Sequence, residues 1–388
     1  MNFDHLSSFS ESGTTPAYVF DLDILNERVN EVSEKLGNNI KLCFALKANP
    51  FLAGKFNNVV TGYEVCSLGE LHICKRAGVD PKEIIFSGVN KTPTDVKEAI
   101  EYDVGILTVE SPKHLALIHE YIKKYDKACS VLLRLSTKNQ FGMDKETIED
   151  IISRRDEYLE ITFSGIHYFV GTQRKKSSDH LSELMMLKDW FIKLENKYGF
   201  PVSHFEYGPG FGVNYFTSDP TGEPDPVEAI APLLQEFSTN RTVMVELGRY
   251  LSWSCGSYIT KIDDIKHNDG VNYIIADGGI HHLTYFGQLM GMHRPFMDHI
   301  KTVKGNGETK NYMICGSLCS IYDILIRSIP LEDPHEGDLL VFHNTGAYAV
   351  TEGISLLLSR PLPRVFLYSK ESGLILVRDF FNTDILNH

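Results

Sequence analysis

The chain has 388 residues, 43% apolar and 23% charged, the composition of a globular protein of one large or two ordinary domains. A formal net charge of −13 argues against a protein whose main task is gripping nucleic-acid phosphates or an anionic membrane surface. No apolar run reaches the about 18 residues of a spanning helix, and Met1 to His5 lack a basic-then-apolar leader, so a cytoplasmic location is expected.

In chain order, β-rich runs alternate with helical ones. The runs at Lys41–Lys47, Gly62–Cys66, Ile84–Phe86, Gly105–Val109, Ser130–Leu135, Ile161–Val170, His204–Tyr207 and Thr242–Leu247 read as eight strands. Between them, Thr92-Pro93 opens a helix as a cap followed by proline, with Asp95 in the first turn. A longer helix runs from about Ser178 to Tyr198 and is stopped by Gly199 and Pro201. Its stripe of Leu181, Leu184, Leu187, Phe191 and Leu194 reads as core packing rather than a partner surface. Eight strands alternating with helices predict an α/β fold, a (β/α)8 TIM barrel; no GxGxxG supports the alternative of a doubly wound sheet. From about Lys261 the pattern changes to strand-like segments such as Val271–Ala276, Met313–Cys315, Asp338–His343 and Leu374–Arg378. Lys304 to Gly307 reads as a hairpin turn and Asp219 to Pro224 as a loop. The expected domains are a barrel over 28–262 and a mostly β domain made of 1–27 plus 263–388.

Seven scattered cysteines without a CxxC suggest free thiols. Cys315 and Cys319 have the spacing of half a zinc site, but no second half follows. His281-His282 would point apart on a strand, so no metal is expected.

A barrel of this kind carries its chemistry at the C-terminal ends of its strands. The first strand ends at Lys47, costly to bury unless it is paired, neutral or covalently used. The seventh runs into Gly208-Pro209-Gly210-Phe211-Gly212, a turn that lets backbone N–H groups approach a phosphate, although Pro209 offers none. The eighth ends Glu246-Leu247-Gly248-Arg249, with Glu246 free to pair with Arg249 itself. Lysine, glycine-rich turn, acid and arginine together suggest pyridoxal 5′-phosphate (PLP) held as a Schiff base.

The chain then resembles the PLP decarboxylases with an alanine-racemase-like barrel, the diaminopimelate, ornithine and arginine decarboxylase family. The matching segments are Thr15 to Asp21, Phe44-Ala45-Leu46-Lys47-Ala48-Asn49, Glu64 to Leu71, Cys319 to Asp323 and Gly346-Ala347-Tyr348. Within the family it looks most similar to decarboxylases of a glutamyl group on a carrier protein. The resemblance implies that Lys47 forms the imine with PLP and Glu246 pairs with the ring nitrogen. Gly210, Gly248, Arg249 and Tyr348 would bind phosphate. Cys319 would come from the second subunit of a homodimer as the acid that protonates the product carbon, after a path through an external aldimine and a quinonoid. Asp323 lies in the same cross-subunit segment and is expected to meet the substrate.

Three features depart from the family pattern. Phe169 stands where a histidine stacks on the cofactor, with His167 two positions earlier as a structural or a functional residue. Pro209 interrupts the glycine turn. Ser320 replaces the acidic residue that reads a distal amine, which would otherwise be desolvated unpaired. The expected substrate is therefore a conjugated or carrier-linked amino acid, with Arg294 a candidate for its distal group. The alternatives are a free-substrate diaminopimelate or ornithine decarboxylase, a racemase, or a non-catalytic homologue. Glu246 and the Cys319 motif speak against a racemase, and retention of the whole residue set speaks against a dead homologue.

Overall fold

The computed structural model describes residues 14–222, 224–285, 291–303 and 307–387. Met1 to His5, Glu223 of the expected 219–224 loop and residues 304–306 of the expected hairpin turn lie outside them. A first strand, β1 (Ala17–Asp21), precedes the barrel. The barrel strands are β2 (Ile40–Ala45), β3 (Val60–Val65), β4 (Ile84–Phe86), β5 (Ile106–Val109), β6 (Cys129–Leu135), β7 (Ile161–Phe169), β8 (His204–Gly208) and β9 (Thr242–Leu247). They pair in parallel in that order, and β9 returns to β2 to close the barrel. All eight strands read from the sequence are present, because strands buried on both faces appear as near-continuous apolar runs.

The helices between them follow local signals. Thr92 caps the helix Pro93–Glu101 in a reciprocal box with Asp95, satisfying two orphan N–H groups. The helix Ser177–Tyr198 ends where Gly199 takes a left-handed conformation. Leu184, Leu187, Phe191 and Leu194 are buried along it, whereas Leu181 is partly exposed and drops out of the stripe.

The remaining strands are β10 (Gly256–Asn268), β11 (Val271–Ala276), β12 (Met297–Ile300), β13 (Thr309–Cys315), β14 (Ile324–Glu332), β15 (Leu339–His343), β16 (Arg364–Ser369) and β17 (Gly373–Arg378). With β1 they form a mostly antiparallel sheet of order β14-β13-β11-β10-β1-β16-β17, with β15 joining β10 to β12. The long strand β10 serves three neighbours: its first half pairs with β1 and β15, and its second half with β11 beyond a register shift at Ile262–Asp264. Ala17, Val19, Ile259, Leu339 and Val341 form a core cluster of this sheet. By compactness the chain divides into a unit of 26–212 with 223–251, which holds the barrel. The other unit comprises the chain up to Leu25, 213–222 and 252–388. All seven cysteines are free thiols. No helix among the described residues is long and apolar enough to cross a membrane.

Candidate active site

The centre of the barrel is not the usual stack of apolar layers. Arg134, His167 and Glu206 are register partners on β6, β7 and β8 and form a polar row across it. Glu64 on β3 and Glu246 on β9 add two more buried carboxyls.

Lys47 lies past the end of its strand. β2 stops at Ala45, and Lys47 is the middle residue of a single 3-10 turn, Leu46–Ala48, which aims its long side chain back across the barrel mouth. Its Nζ donates to Glu64 Oε2 at 2.8 Å and to Glu246 Oε1 at 3.5 Å. The Cys66 sulfur lies 3.9 Å away and sits 3.2 Å from Glu64 Oε1. Burial and then the Glu64 charge push the Cys66 thiol up, so it stays protonated.

Glu246 pairs with Lys47 and with His167, whose Nε2 is 3.1 Å from Glu246 Oε2. Burial opposes its charge, but the Lys47 ammonium and the His167 hydrogen bond outweigh burial and hold the carboxyl well below its ordinary range. The expected alternative partner, Arg249, goes elsewhere. It is buried, and its Nε donates to Thr172 Oγ1 at 3.4 Å.

Phe169 ends β7, and its ring centroid is 5.9 Å from Lys47 Nζ. Its register partner is Gly208, where a Cβ would lie 2.4 Å from the Phe169 ring, so the missing side chain makes room for the ring. Gly210 sits at φ +63°, and a Cβ there would fall 1.6 Å from the Gly171 carbonyl oxygen. The Gly-Pro-Gly turn is thus pressed against the segment that follows β7, and the Arg174 N–H donates to the Gly210 carbonyl at 2.9 Å. Gly248 lies against Ala45 and Ala48.

Two further groups at the strand ends escaped the sequence reading. Arg134 Nη1 donates to Glu110 Oε1 at 3.0 Å. Lys91, after β4, is buried with its Nζ donating to the Gly88 carbonyl at 2.8 Å, and burial lowers it to about 8. The rule of reading each strand end would have found Glu64, Cys66, Glu110 and Lys91. Glu206 lies mid-strand, and its only signal is an acid inside a short apolar run.

The other candidates lie in the second unit. Cys319 is exposed, in the turn between β13 and β14. Ser320 Oγ accepts the Tyr322 N–H at 3.2 Å. Asp323 is buried, and its two carboxylate oxygens accept the N–H groups of Ile280 and Leu318, each at 2.8 Å. Tyr348 has a left-handed backbone at φ +65°. Arg294 is exposed, with Nε 3.3 Å from Thr217 Oγ1. His281 and His282 lie in a turn, not on a strand. Their ring centroids are 3.7 Å apart rather than pointing apart, and the two nitrogens of His282 lie against Tyr258 Oη and the Pro361 carbonyl.

The barrel residues fit PLP by their chemistry. A lysine amine stands beside a deep carboxylate kept ionised. A flat apolar ring lies beside the amine, and a buried arginine and glycine turns without side chains occupy the ends of β8 and β9.

The family model of the pyridoxal-dependent decarboxylases, pyridoxal binding domain, matches residues 22–253. An L-glutamyl-[BtrI acyl-carrier protein] decarboxylase of Niallia circulans is 27% identical, over 94% of this chain and 91% of that protein. A 2-[(L-alanin-3-ylcarbamoyl)methyl]-2-hydroxybutanedioate decarboxylase of Staphylococcus aureus is 28% identical, over 90% of this chain and 93% of that protein. The crystal structure of diaminopimelate decarboxylase from M. jannaschii in complex with L-lysine is similar in fold, with a TM-score of 0.83 at 25% identity, covering 99% of this chain and 93% of that one. The family match spans more than half of the sequence, so the chain belongs to the pyridoxal-dependent decarboxylases, carboxy-lyases that use PLP.

Proposed function

We propose that this decarboxylase acts on an amino acid whose distal end is conjugated or carrier-linked, in a biosynthetic pathway. The observation that carries the site assignment is Lys47 Nζ held between Glu64 and Glu246 at the centre of the barrel. Lys47 is the amine to which PLP attaches. Glu246, held ionised, would pair with the ring nitrogen of the bound cofactor and favour a proton there. Phe169 would lie against the cofactor ring. Gly210, Gly248 and Arg249 would take the phosphate, and the family resemblance assigns Tyr348 to the same group. When bound, the cofactor supplies a sink for the electron pair left as carbon dioxide departs.

Cys319 gives the proton to the product carbon from a second copy of the chain. Its neighbours Ile321 and Tyr322 are 78% and 55% exposed, the kind of surface a partner covers. We assign Asp323 to shaping this turn, since its carboxylate is engaged by the backbone. Ser320 supports a substrate without a free distal amine, because a hydroxyl brings no charge to pair with a desolvated ammonium. Two of the similar proteins bear names of conjugated substrates, which agrees with this reading. Arg294 remains the candidate cation for a distal acyl or carboxylate group.

The test incubates the purified protein and PLP with free diaminopimelate, ornithine, lysine and arginine, and in parallel with carrier-linked glutamate and a citrate-linked diamino acid. Release of carbon dioxide is followed by mass spectrometry. Turnover of the conjugates alone is the expected result. Rapid turnover of a free diamino acid would overturn the substrate assignment and leave the reaction intact.

A further inference from the structure

Glu206 is fully buried, and neither of its carboxyl oxygens has a hydrogen-bond partner among the described residues. Donor or acceptor atoms of Glu206, Glu246 and His167 all lie within 4.8 Å of one another. Nδ1 of His167 is likewise buried and without a partner among them. The groups facing Glu206 are Glu246, Glu64, Arg134, Lys47, His167 and the thiol of Cys43.

The cations at this centre are already engaged without Glu206. Lys47 is paired with Glu64 and Glu246, and Arg134 with Glu110. Lys91 is buried as well, near Glu110 and Glu64. Three cations then face three carboxylates, Glu64, Glu110 and Glu246. An ionised Glu206 would be a fourth anion with no donor on either oxygen, which is very costly in a buried site. Two adjacent buried carboxyls avoid that cost by sharing one charge. Glu246 holds the ammonium and the imidazole, so it carries the charge. Burial and then the Glu246 charge drive Glu206 the other way, toward its neutral form.

We propose that Glu206 is a proton-bearing positioning residue that, with His167, keeps Glu246 the single anion presented to the cofactor from β8 and β9. The proton stays on a Glu206 carboxyl oxygen, which removes the charge that no described donor meets, and Glu246 stays fixed against His167. The role toward the cofactor rests on the reading of Glu246 given above; the protonation of Glu206 does not.

Glu206→Gln separates the two claims, because the amide resembles the protonated acid in size and charge. On the full-length apoprotein, the infrared difference spectrum between wild type and E206Q at neutral pH should lose a protonated-carboxyl band. Glu206→Asp should keep such a band. In the native state Glu206 binds its proton more tightly than its ordinary value of 4.5. Its contribution to stability is therefore complete below that pH and is lost as pH rises through the raised value. The unfolding midpoint of E206Q should gain on wild type as pH rises and lose that advantage towards pH 4.5. With PLP bound, the absorbance of wild type should carry an alkaline limb from ionisation of Glu206 beside Glu246, and E206Q should lack it.

If no carboxyl band is lost, Glu206 is an anion and the proposal fails. A lost band with an unchanged alkaline limb overturns the positioning role alone. Unaltered cofactor affinity in Glu246→Gln would instead refute the reading of Glu246. If E206Q does not fold, the band in E206D, absent from an E206D/E246Q background only if Glu246 carried it, decides between the two carboxyls.

Discussion

Ser320 is a small hydroxyl whose oxygen is engaged by the Tyr322 N–H, in the turn that carries Cys319. A carboxylate placed there would supply the charge that a free distal ammonium needs when it leaves water. Ser320→Glu or Ser320→Asp should therefore raise kcat/KM for a free diamino acid by about tenfold, the about 1.4 kcal/mol at the low end of the coupling measured for close interfacial charge pairs. Steady-state kinetics on free ornithine and diaminopimelate measure this, and no gain in either variant would mean that Ser320 does not face the distal group. Residue types alone pointed to Lys47, Glu246 and Arg249, but not to their partners. Glu246 was as free to meet Arg249, three residues away, as Lys47, and closure of the barrel decided it. Cys43 on β2 pairs in register with Glu246 on β9, which brings the two ends of a long sequence interval together.

At the scale of single elements, local signals were strong where they are chemically local. The Thr92–Asp95 box needs only its own turn of chain, so it was readable and is present. Thr92→Ala should cost about 1 kcal/mol in denaturant unfolding and leave cofactor binding unchanged. Gly210→Ala should do the reverse of a mild change. A Cβ at φ +63° would fall 1.6 Å from the Gly171 carbonyl, so the turn must move and PLP affinity should drop at least tenfold in a spectroscopic titration. Equal PLP affinity in both variants would remove Gly210 from the phosphate site. The strands of the second sheet were less legible than those of the barrel. The second half of β10 reads Lys-Ile-Asp-Asp-Ile-Lys-His-Asn and is largely exposed, so its apolar signal is diluted. It is held as a strand by pairing with β11 rather than by its own composition.

Across the whole molecule, buried histidines tie stability to pH on the acid side. Burial lowers His114, His180 and His281 to about 4 and His282 to about 3, from an ordinary 6.5. A native value below the unfolded one gives stability that is present above 6.5 and lost as pH falls through the lowered values. Thermal unfolding between pH 6.5 and 4 should show a falling midpoint with proton uptake on unfolding. A flat profile over that window would show that these rings are already protonated or exposed in the folded chain. The sequence by itself determined the barrel, its eight strands, two of its helices and the cofactor class. Alternating periodicity, capping and strand-end chemistry are all written in short stretches of chain. Only the tertiary structure decided which charges meet. Burial and partners at the barrel centre select Lys47 for Glu64 and Glu246, Arg134 for Glu110 and Arg249 for Thr172. They leave Glu206 without a hydrogen-bonding partner among the described residues, because the cost of a buried charge depends on neighbours that lie far apart in sequence.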